Sequence, residues 1–252
     1  MPRSYVVTGG ASGVGAAVVR LLLQDGAAVV SLDLAESAPD GAIAVRGSAG
    51  DEKTARRAAR EAARKGEFSG WVNNAAMFDD GDLHRGGSEI VDLIDSNLAP
   101  AVIGTAVAVA AFLETGTPGS IVNVSSHQAQ RAVPGALAYA TAKAAIEGLT
   151  RATAVDYGPH GIRANCVALG SVATERARRD RDALGRRERR ERDDALAAIH
   201  PLGRIGTVGE VAAVIAFLLS DESSWVSGAI IPVDGGRAAL GTDPEARAVR
   251  PD

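Results

Sequence analysis

A chain of 252 residues, 46% apolar and 23% charged, can bury a domain-sized core and is too apolar for a disordered or fibrous protein. Its net charge of −4 supplies no global field for nucleic acid or an anionic membrane, and a single cysteine, Cys166, permits no internal disulfide. Tyrosine and lysine occur three times each, as Tyr5, Tyr139, Tyr157 and Lys53, Lys65, Lys143, so a phenol or amine with a chemical role has few candidates.

Residues 1–4 carry no apolar leader, which sets the expectation of a cytoplasmic protein in a reducing environment. Residues 5–8 read as a short strand. Residues 14–24 carry apolar positions at helical spacing up to Asp25-Gly26, a helix-stop signal. Between them lies Thr8-Gly9-Gly10-Ala11-Ser12-Gly13-Val14-Gly15. Glycines there let the backbone turn sharply and approach a pyrophosphate. The helix beginning near Val14 then aims its free N–H groups and positive dipole end at the phosphates. Gly9, Gly13 and Gly15 are the critical positions.

A second apolar run over residues 27–32 ends at Asp33, eighteen residues after Gly15. That is near the spacing at which a carboxylate holds an adenosine ribose. A 2′-phosphate at Asp33 meets like charge, and neither Ser12 nor Leu34 offers a cation, so the reading is NAD over NADP.

Residues 43–45 are a third strand candidate, followed by a polar helix from about 51 to 65. Further buried strands are read over 71–73, 120–124, 162–167 and 230–233, with helices over 88–113, 138–156 and 208–219. The alternation predicts right-handed crossovers. The expected fold is a single doubly wound α/β domain over residues 1–236, a Rossmann-type parallel sheet of about seven strands with helices on both faces. The longest uncharged apolar stretch, 98–113, includes Pro100 and Gly104 and falls short of the roughly 20 residues a membrane span needs. It reads as a buried or subunit-interface helix. Residues 237–252, with Pro244 and Pro251, read as an exposed tail.

Within the 138–156 helix, Tyr139-Ala-Thr-Ala-Lys143 puts a phenol and an ammonium four residues apart on one face. With three tyrosines and three lysines, chance predicts roughly 0.04 such pairs. A free phenol needs a pKa lower by about three units, or about 4 kcal/mol, to act as an acid/base at neutral pH. One cation about 4 Å away at an effective dielectric of about 20 supplies roughly that. Upstream, Gly119-Ser-Ile-Val-Asn-Val-Ser-Ser126 is a buried strand emptying into a polar loop at the edge where open parallel sheets hold ligands. Ser126 or Ser125 can hydrogen-bond a substrate oxygen there, and sequence logic does not choose between them.

Taken together, Thr8 to Gly15, Asn73-Asn74-Ala75-Ala76, Asn97, Ser126, Tyr139-x-x-x-Lys143, Asn165-Cys-Val-Ala168 and Val233-Asp-Gly-Gly236 resemble the short-chain dehydrogenase/reductases of the shorter branch. The resemblance runs from Tyr5 to Gly236. It implies an NAD(H)-dependent oxidoreductase that interconverts a secondary alcohol and a ketone. In it Tyr139 is the general acid/base, and Lys143 lowers its pKa while holding the nicotinamide ribose. Ser126 rather than Ser125 positions the reacting oxygen, and Asn97 holds a water linking Lys143 to solvent.

The cofactor would lie against Gly9, Ser12, Gly13, Val14, Gly15, Asp33, Leu34, Ser48 and Ala49. It would pass Asn73 to Ala75 and reach Tyr139, Lys143, Gly170, the backbone of Val172, and Thr174. Residues 175–199 would be a substrate lid. The resemblance also implies a homotetramer or homodimer acting on a small alcohol or ketone, with no nucleic-acid or membrane partner. Departures are Ser48 for an aspartate, Ala76 for a glycine, Leu169-Gly170 for Pro-Gly, and Gly209 for a proline at a helix start. The third predicts a looser nicotinamide-side loop. Rival readings are enoyl reduction, disfavoured because that branch spaces its Tyr and Lys by seven, and a catalytically silent nucleotide-binding sensor.

The segment 175–194 holds nine Arg and seven acidic residues. Near-balanced charge favours a solvated helix with interleaved ion pairs over recruitment of an anionic substrate. His127, Gln128, Arg131, Met77 and Phe78 are candidate pocket lining. His84, His160 and His200 are scattered and suggest no metal, and Cys166 reads as core.

Overall fold

The computed structural model describes residues 1–79, 81–241 and 245. Seven parallel strands form one sheet: β1 (Arg3–Thr8), β2 (Ala28–Asp33), β3 (Ile43–Arg46), β4 (Glu67–Asn73), β5 (Gly119–Ser126), β6 (Ile162–Leu169) and, last in the chain, a strand over Ile230–Val233. A separate two-stranded ribbon, β7 (Val172–Ala173) with β8 (Gly206–Thr207), makes the last sheet strand β9. The order is β3-β2-β1-β4-β5-β6-β9. The chain therefore winds outward from β1 to β3, then returns to β4 on β1's other side. The two halves diverge between β1 and β4, which opens a crevice above the strands' carboxyl ends. The seven expected sheet strands all form, and the ribbon is an addition that two-residue strands gave no periodicity to reveal.

Side-chain alternation builds the two apolar layers. Val6, Val30, Leu32, Trp71 and Ile121 face one way, against α2 (Glu52–Lys65) and α3 (Gly87–Thr115). Tyr5, Val7, Val29, Val72 and Val122 face the other, against α1 (Gly13–Gln24) and a helix over Val208–Leu219. Helix α2 buries only alanines, Ala55, Ala58, Ala59 and Ala62, so its polar sequence can lie close on the sheet. On α1, Val14, Val18, Val19 and Leu22 are buried, each such side chain contributing about 1.5–3 kcal/mol. Helix α3 is long and apolar enough by length and composition to cross a membrane, yet here it lies on the sheet between α2 and α4 (Leu137–Tyr157).

The lid region folds as α5 (Glu175–Asp182) and α6 (Arg186–Ala198), leaving Val208–Leu219 as α7. Without a proline, α7 starts on a reciprocal cap. Thr207 Oγ1 accepts from Glu210 N–H at 3.2 Å, and the Glu210 carboxylate accepts from Thr207 N–H at 2.8 Å.

Two expectations are corrected at the C-terminal side. The nicotinamide-side loop is pinned rather than loose: Gly170 N–H donates to Val233 O at 3.1 Å, Gly206 N–H to Ser171 O at 2.9 Å, and Ser171 N–H to His200 Nε2 at 3.2 Å. These bonds replace the stiffness a proline supplies. The tail also begins later than expected, because Arg237–Ala239 forms a short 3₁₀ turn held by the Asp234 carboxylate. Positions 242–244 and 246–252 of that segment lie outside the described residues.

Candidate active site

A cleft of about 670 Å³ opens at the crevice, and its floor is the turn between β1 and α1. Gly9 (φ +65°) and Gly13 (φ +54°) adopt the left-handed backbone that favours glycine. Gly9, Ser12, Gly13 and Val14 line the cleft. Gly15 does not. A Cβ there would lie 2.1 Å from Gly9 O, so Gly15 acts by letting α1 close against the turn rather than by touching a ligand. The turn is the kind of backbone cradle that a dinucleotide pyrophosphate fits: glycines without a Cβ at the turn and a helix N-terminus behind.

At the far end, Asp33, Leu34, Ser48 and Ala49 line the cleft. The Asp33 carboxylate accepts from Ala11 N–H and Ala35 N–H, both at 3.0 Å, which aims it into the crevice. The nearby Arg46 pairs with Glu36 at 2.5 Å and is not among the cleft residues. Ser48 Oγ accepts from Gly50 N–H at 3.1 Å and turns the loop, work an aspartate would otherwise share.

Asn73 is corrected. Its side chain is buried in the core, where Oδ1 accepts from Trp71 Nε1 at 2.7 Å and Nδ2 donates to Asn123 Oδ1 at 2.8 Å and Thr105 Oγ1 at 3.1 Å. It ties β4 to β5 and α3 and does not line the cleft. Asn74 and Ala75 do. Asn74 Nδ2 donates to Thr8 O and Gly9 O at 3.1 Å, and Thr8 Oγ1 accepts from the N–H of Asn74 at 3.0 Å and of Ala75 at 3.1 Å. These bonds clamp the glycine turn to the end of β4.

The residues expected to transfer the proton meet on another wall of the cleft. Tyr139 and Lys143, one turn apart on α4, both line the cleft, with Lys143 Nζ 5.3 Å from the Tyr139 ring centroid. The Tyr139 phenol lies close to Ser126, whose Oγ accepts from Gln128 N–H at 3.2 Å. Ser125 points elsewhere: its Oγ donates to Lys143 O at 3.1 Å, with Glu147 close by at 3.4 Å. Of the two serines, geometry joins Ser126 to the phenol.

The electrostatics differ from the sequence expectation. Burial pushes the Tyr139 phenol up to about 12, opposed by the Ser126 hydroxyl beside it and by the charge of Arg176. Lys143 is fully buried, burial brings it down to about 8, and its Nζ donates to Val124 O at 2.9 Å. In this arrangement desolvation outweighs the groups that favour the phenolate.

The Asn97 Oδ1 accepts from Met77 N–H at 2.9 Å and its Nδ2 donates to Leu93 O at 3.3 Å, so the side chain holds the loop after β4 against α3. Gly170, Val172 and Thr174, expected beside a nicotinamide, line the cleft, and Thr174 caps α5 by accepting from Ala177 N–H at 3.2 Å.

Of the candidate lining residues, Met77, Phe78, His127 and Gln128 face the cleft and Arg131 does not. Burial lowers the His127 pKa, and Cys166 is core, its thiol pushed up to about 12 by burial. Among the described residues no three His, Cys, Asp or Glu side chains cluster to hold a metal ion.

Three further residues line the cleft, two of them at the start of the expected lid and one in the segment read as tail. Glu175 accepts from Gly13 N–H at 3.1 Å, the Arg176 guanidinium lies 3.4 Å over the Phe78 ring centroid, and Arg237 donates to Ser171 Oγ at 3.1 Å. Each contact joins segments 66 to 162 residues apart, beyond any spacing rule.

Comparison with known proteins agrees with this geometry. A family model described as enoyl-(acyl carrier protein) reductase matches residues 9–238. The 2,5-dichloro-2,5-cyclohexadiene-1,4-diol dehydrogenase of Sphingobium indicum is 34% identical over 257 residues, covering 94% of this chain and 98% of that protein. Levodione reductase of Leifsonia aquatica is 30% identical over 255 residues, covering 94% of each chain. The structure of Thermoplasma acidophilum aldohexose dehydrogenase superposes with a TM-score of 0.88 at 27% identity, covering 98% of both chains. Relatives named for diols, alcohols and ketones make the chemistry that of an oxidoreductase. The chain belongs to the short-chain dehydrogenase/reductase family.

Proposed function

We propose that the protein is an NAD(H)-dependent oxidoreductase interconverting a secondary alcohol and a ketone, with Tyr139 as general acid/base. The observation that carries this reading is the convergence of two hydroxyls, Ser126 and Tyr139, beside the buried Lys143 at the open end of a cleft floored by the α1 N-terminus. Two hydroxyls side by side in the cleft fit a carbonyl or hydroxyl oxygen better than a carbon–carbon double bond. This supports alcohol and ketone chemistry over the enoyl reduction named in the family model's description.

Ser126 holds the substrate oxygen, and Tyr139 takes its proton in oxidation or returns it in reduction. Lys143, about 8 in the cofactor-free protein, is largely charged at neutral pH, and its ammonium favours the phenolate. When bound, a nicotinamide supplies the two-electron exchange with the substrate carbon. Gly9, Ser12, Gly13 and Val14 would hold the pyrophosphate, with Asp33, Leu34, Ser48, Ala49 and Ala75 along the adenosine and Gly170, Val172 and Thr174 beside the nicotinamide. Asp33, with no cation among its cleft neighbours Leu34, Gly47, Ser48 and Ala49, supports NAD over NADP.

Exposed apolar side chains support a homotetramer or homodimer: Val91, Val102 and Leu113 on α3, Val155 on α4 at 75% exposure, and Trp225 fully exposed. A cytoplasmic location, without nucleic-acid or membrane partners, completes the proposal.

Following NADH absorbance with a panel of secondary alcohols and ketones tests the reading. Tyr139→Phe should bind NADH with unchanged affinity and lose at least about 10³-fold in kcat. Substantial residual turnover in that variant would overturn the mechanism.

A further inference from the structure

Charge in the lid is sorted by position. Arg178, Arg181, Arg187 and Arg189 pair with acidic residues of the lid itself. Arg176 has no ion pair among the described residues, and it lines the cleft. Its guanidinium carbon lies 3.4 Å over the Phe78 ring centroid, and Phe78 in turn stacks on Tyr139 with centroids 5.5 Å apart and planes at 26°. A ring contact engages the face of a guanidinium and leaves its N–H edge free to donate. A cation is thereby held one aromatic ring from the proposed proton donor.

Arg179 and Arg237 also line the cleft without an ion pair among the described residues, and Arg237 is the more buried of these two. It is partly buried in the cleft wall, and the one hydrogen bond of its guanidinium among the described residues goes to the neutral Ser171 Oγ. The adjacent Asp234 spends its carboxylate on Gly236 N–H at 2.9 Å and Ala238 N–H at 2.7 Å and makes no ion pair with it. Burial lowers the Arg237 pKa and outweighs the opposing charge of Asp234, with which it forms no ion pair among the described residues. The neighbouring His127 is neutral on the same grounds and supplies no competing charge. The two carboxylates of the cleft, Asp33 and Glu175, are both engaged by backbone N–H groups around the dinucleotide turn. The end beside Tyr139 thus presents guanidiniums and no acid.

We propose that the substrate carries a carboxylate besides its reacting hydroxyl or carbonyl, and that Arg237 and Arg176 select it. A planar guanidinium fork matches a carboxylate bidentately, and a partly desolvated one gains most from a counter-ion. The assignment rests on the alcohol/ketone reading above and names its substrate class.

The test uses a series of hydroxy acids with two to six intervening carbons, each paired with its primary amide, and compares kcat/KM for acid over amide. The wild-type ratio should exceed 10 for the best spacing and fall about 30-fold in Arg237→Gln and in Arg176→Gln. Arg190→Gln, an exposed lid charge outside the cleft, should leave the ratio in place. Arg237→Lys keeps the charge without the fork and should recover part of the loss. Calorimetry of the non-reacting parent carboxylates on the NADH-loaded protein reads the subsite without turnover. A wild-type ratio near one, or carboxylate binding that Arg237→Gln leaves intact, would overturn the proposal. Carboxylate binding with no turnover of either acid or amide would instead refute the alcohol/ketone reading and leave the subsite standing.

Discussion

The carboxylate of Glu175, the first residue of the lid helix α5, accepts a hydrogen bond from the Gly13 N–H at the N-terminus of α1, 3.1 Å away. Its own backbone N–H and that of Gly13 hold its pKa below the ordinary carboxylate value. A depressed acid stays charged, and its contact is lost only as pH falls through that lowered value. At neutral pH an anion of the protein therefore occupies the helix end that a pyrophosphate needs. Glu175→Gln should tighten NADH binding about 5-fold, read by fluorescence titration at pH 7. An unchanged or weaker dissociation constant would show that the contact does not compete with the cofactor.

Lys143 is a buried ammonium whose main partner is a backbone carbonyl. Burial brings its pKa from 10.5 to about 8, so the folded state binds its proton more weakly than the unfolded chain. The cost is fully present below about pH 8 and is relieved as pH rises toward the unfolded value. Removing the charge should therefore stabilise the fold while ending catalysis. Lys143→Met should raise Tm at pH 7 by on the order of 5 °C, and the gain should shrink toward pH 10. A lower Tm at pH 7 would mean that the Val124 bond outweighs the desolvation.

Asp33 joins the ends of two turns through Ala11 and Ala35 N–H while facing the cleft. Replacing it should remove both a ribose partner and the repulsion toward a 2′-phosphate. Asp33→Ala is expected to lower the NAD over NADP preference, measured as the ratio of kcat/KM values, at least about 10-fold. An unaltered ratio would remove Asp33 from cofactor choice.

Much of this site was legible because its signals are local. Tyr139 and Lys143 fall one helical turn apart, and Gly9 to Gly15 sit where a strand meets a helix, so short-range periodicity placed both. The seven sheet strands were equally plain, since each is a run of apolar residues between turn signals. Asn73 was misplaced because its fate depends on Trp71, Thr105 and Asn123, and only the packed fold brings β5 and α3 to its side chain. The direction of the Tyr139 pKa failed for a related reason. A helix wheel records the neighbouring cation but not the water that burial removes.

The two adjacent serines at the end of β5 give the sharpest separation of roles. Ser125 Oγ bonds Lys143 O and stands near Glu147 inside the helix–sheet contact, whereas Ser126 lies close to the Tyr139 phenol at the cleft. Losing the first should cost packing and about 1 kcal/mol of one hydrogen bond, with the reacting groups left in place. Losing the second removes a donor aimed at the oxygen whose charge changes during reaction, a role worth about 10²- to 10³-fold in kcat. Ser125→Ala should thus lower Tm by a few degrees and keep kcat within about 3-fold, while Ser126→Ala should do the reverse. Chemical denaturation and steady-state rates on the same two variants decide it. If Ser125→Ala proves the more damaging to kcat, the serine that holds the substrate oxygen has been assigned one residue too late.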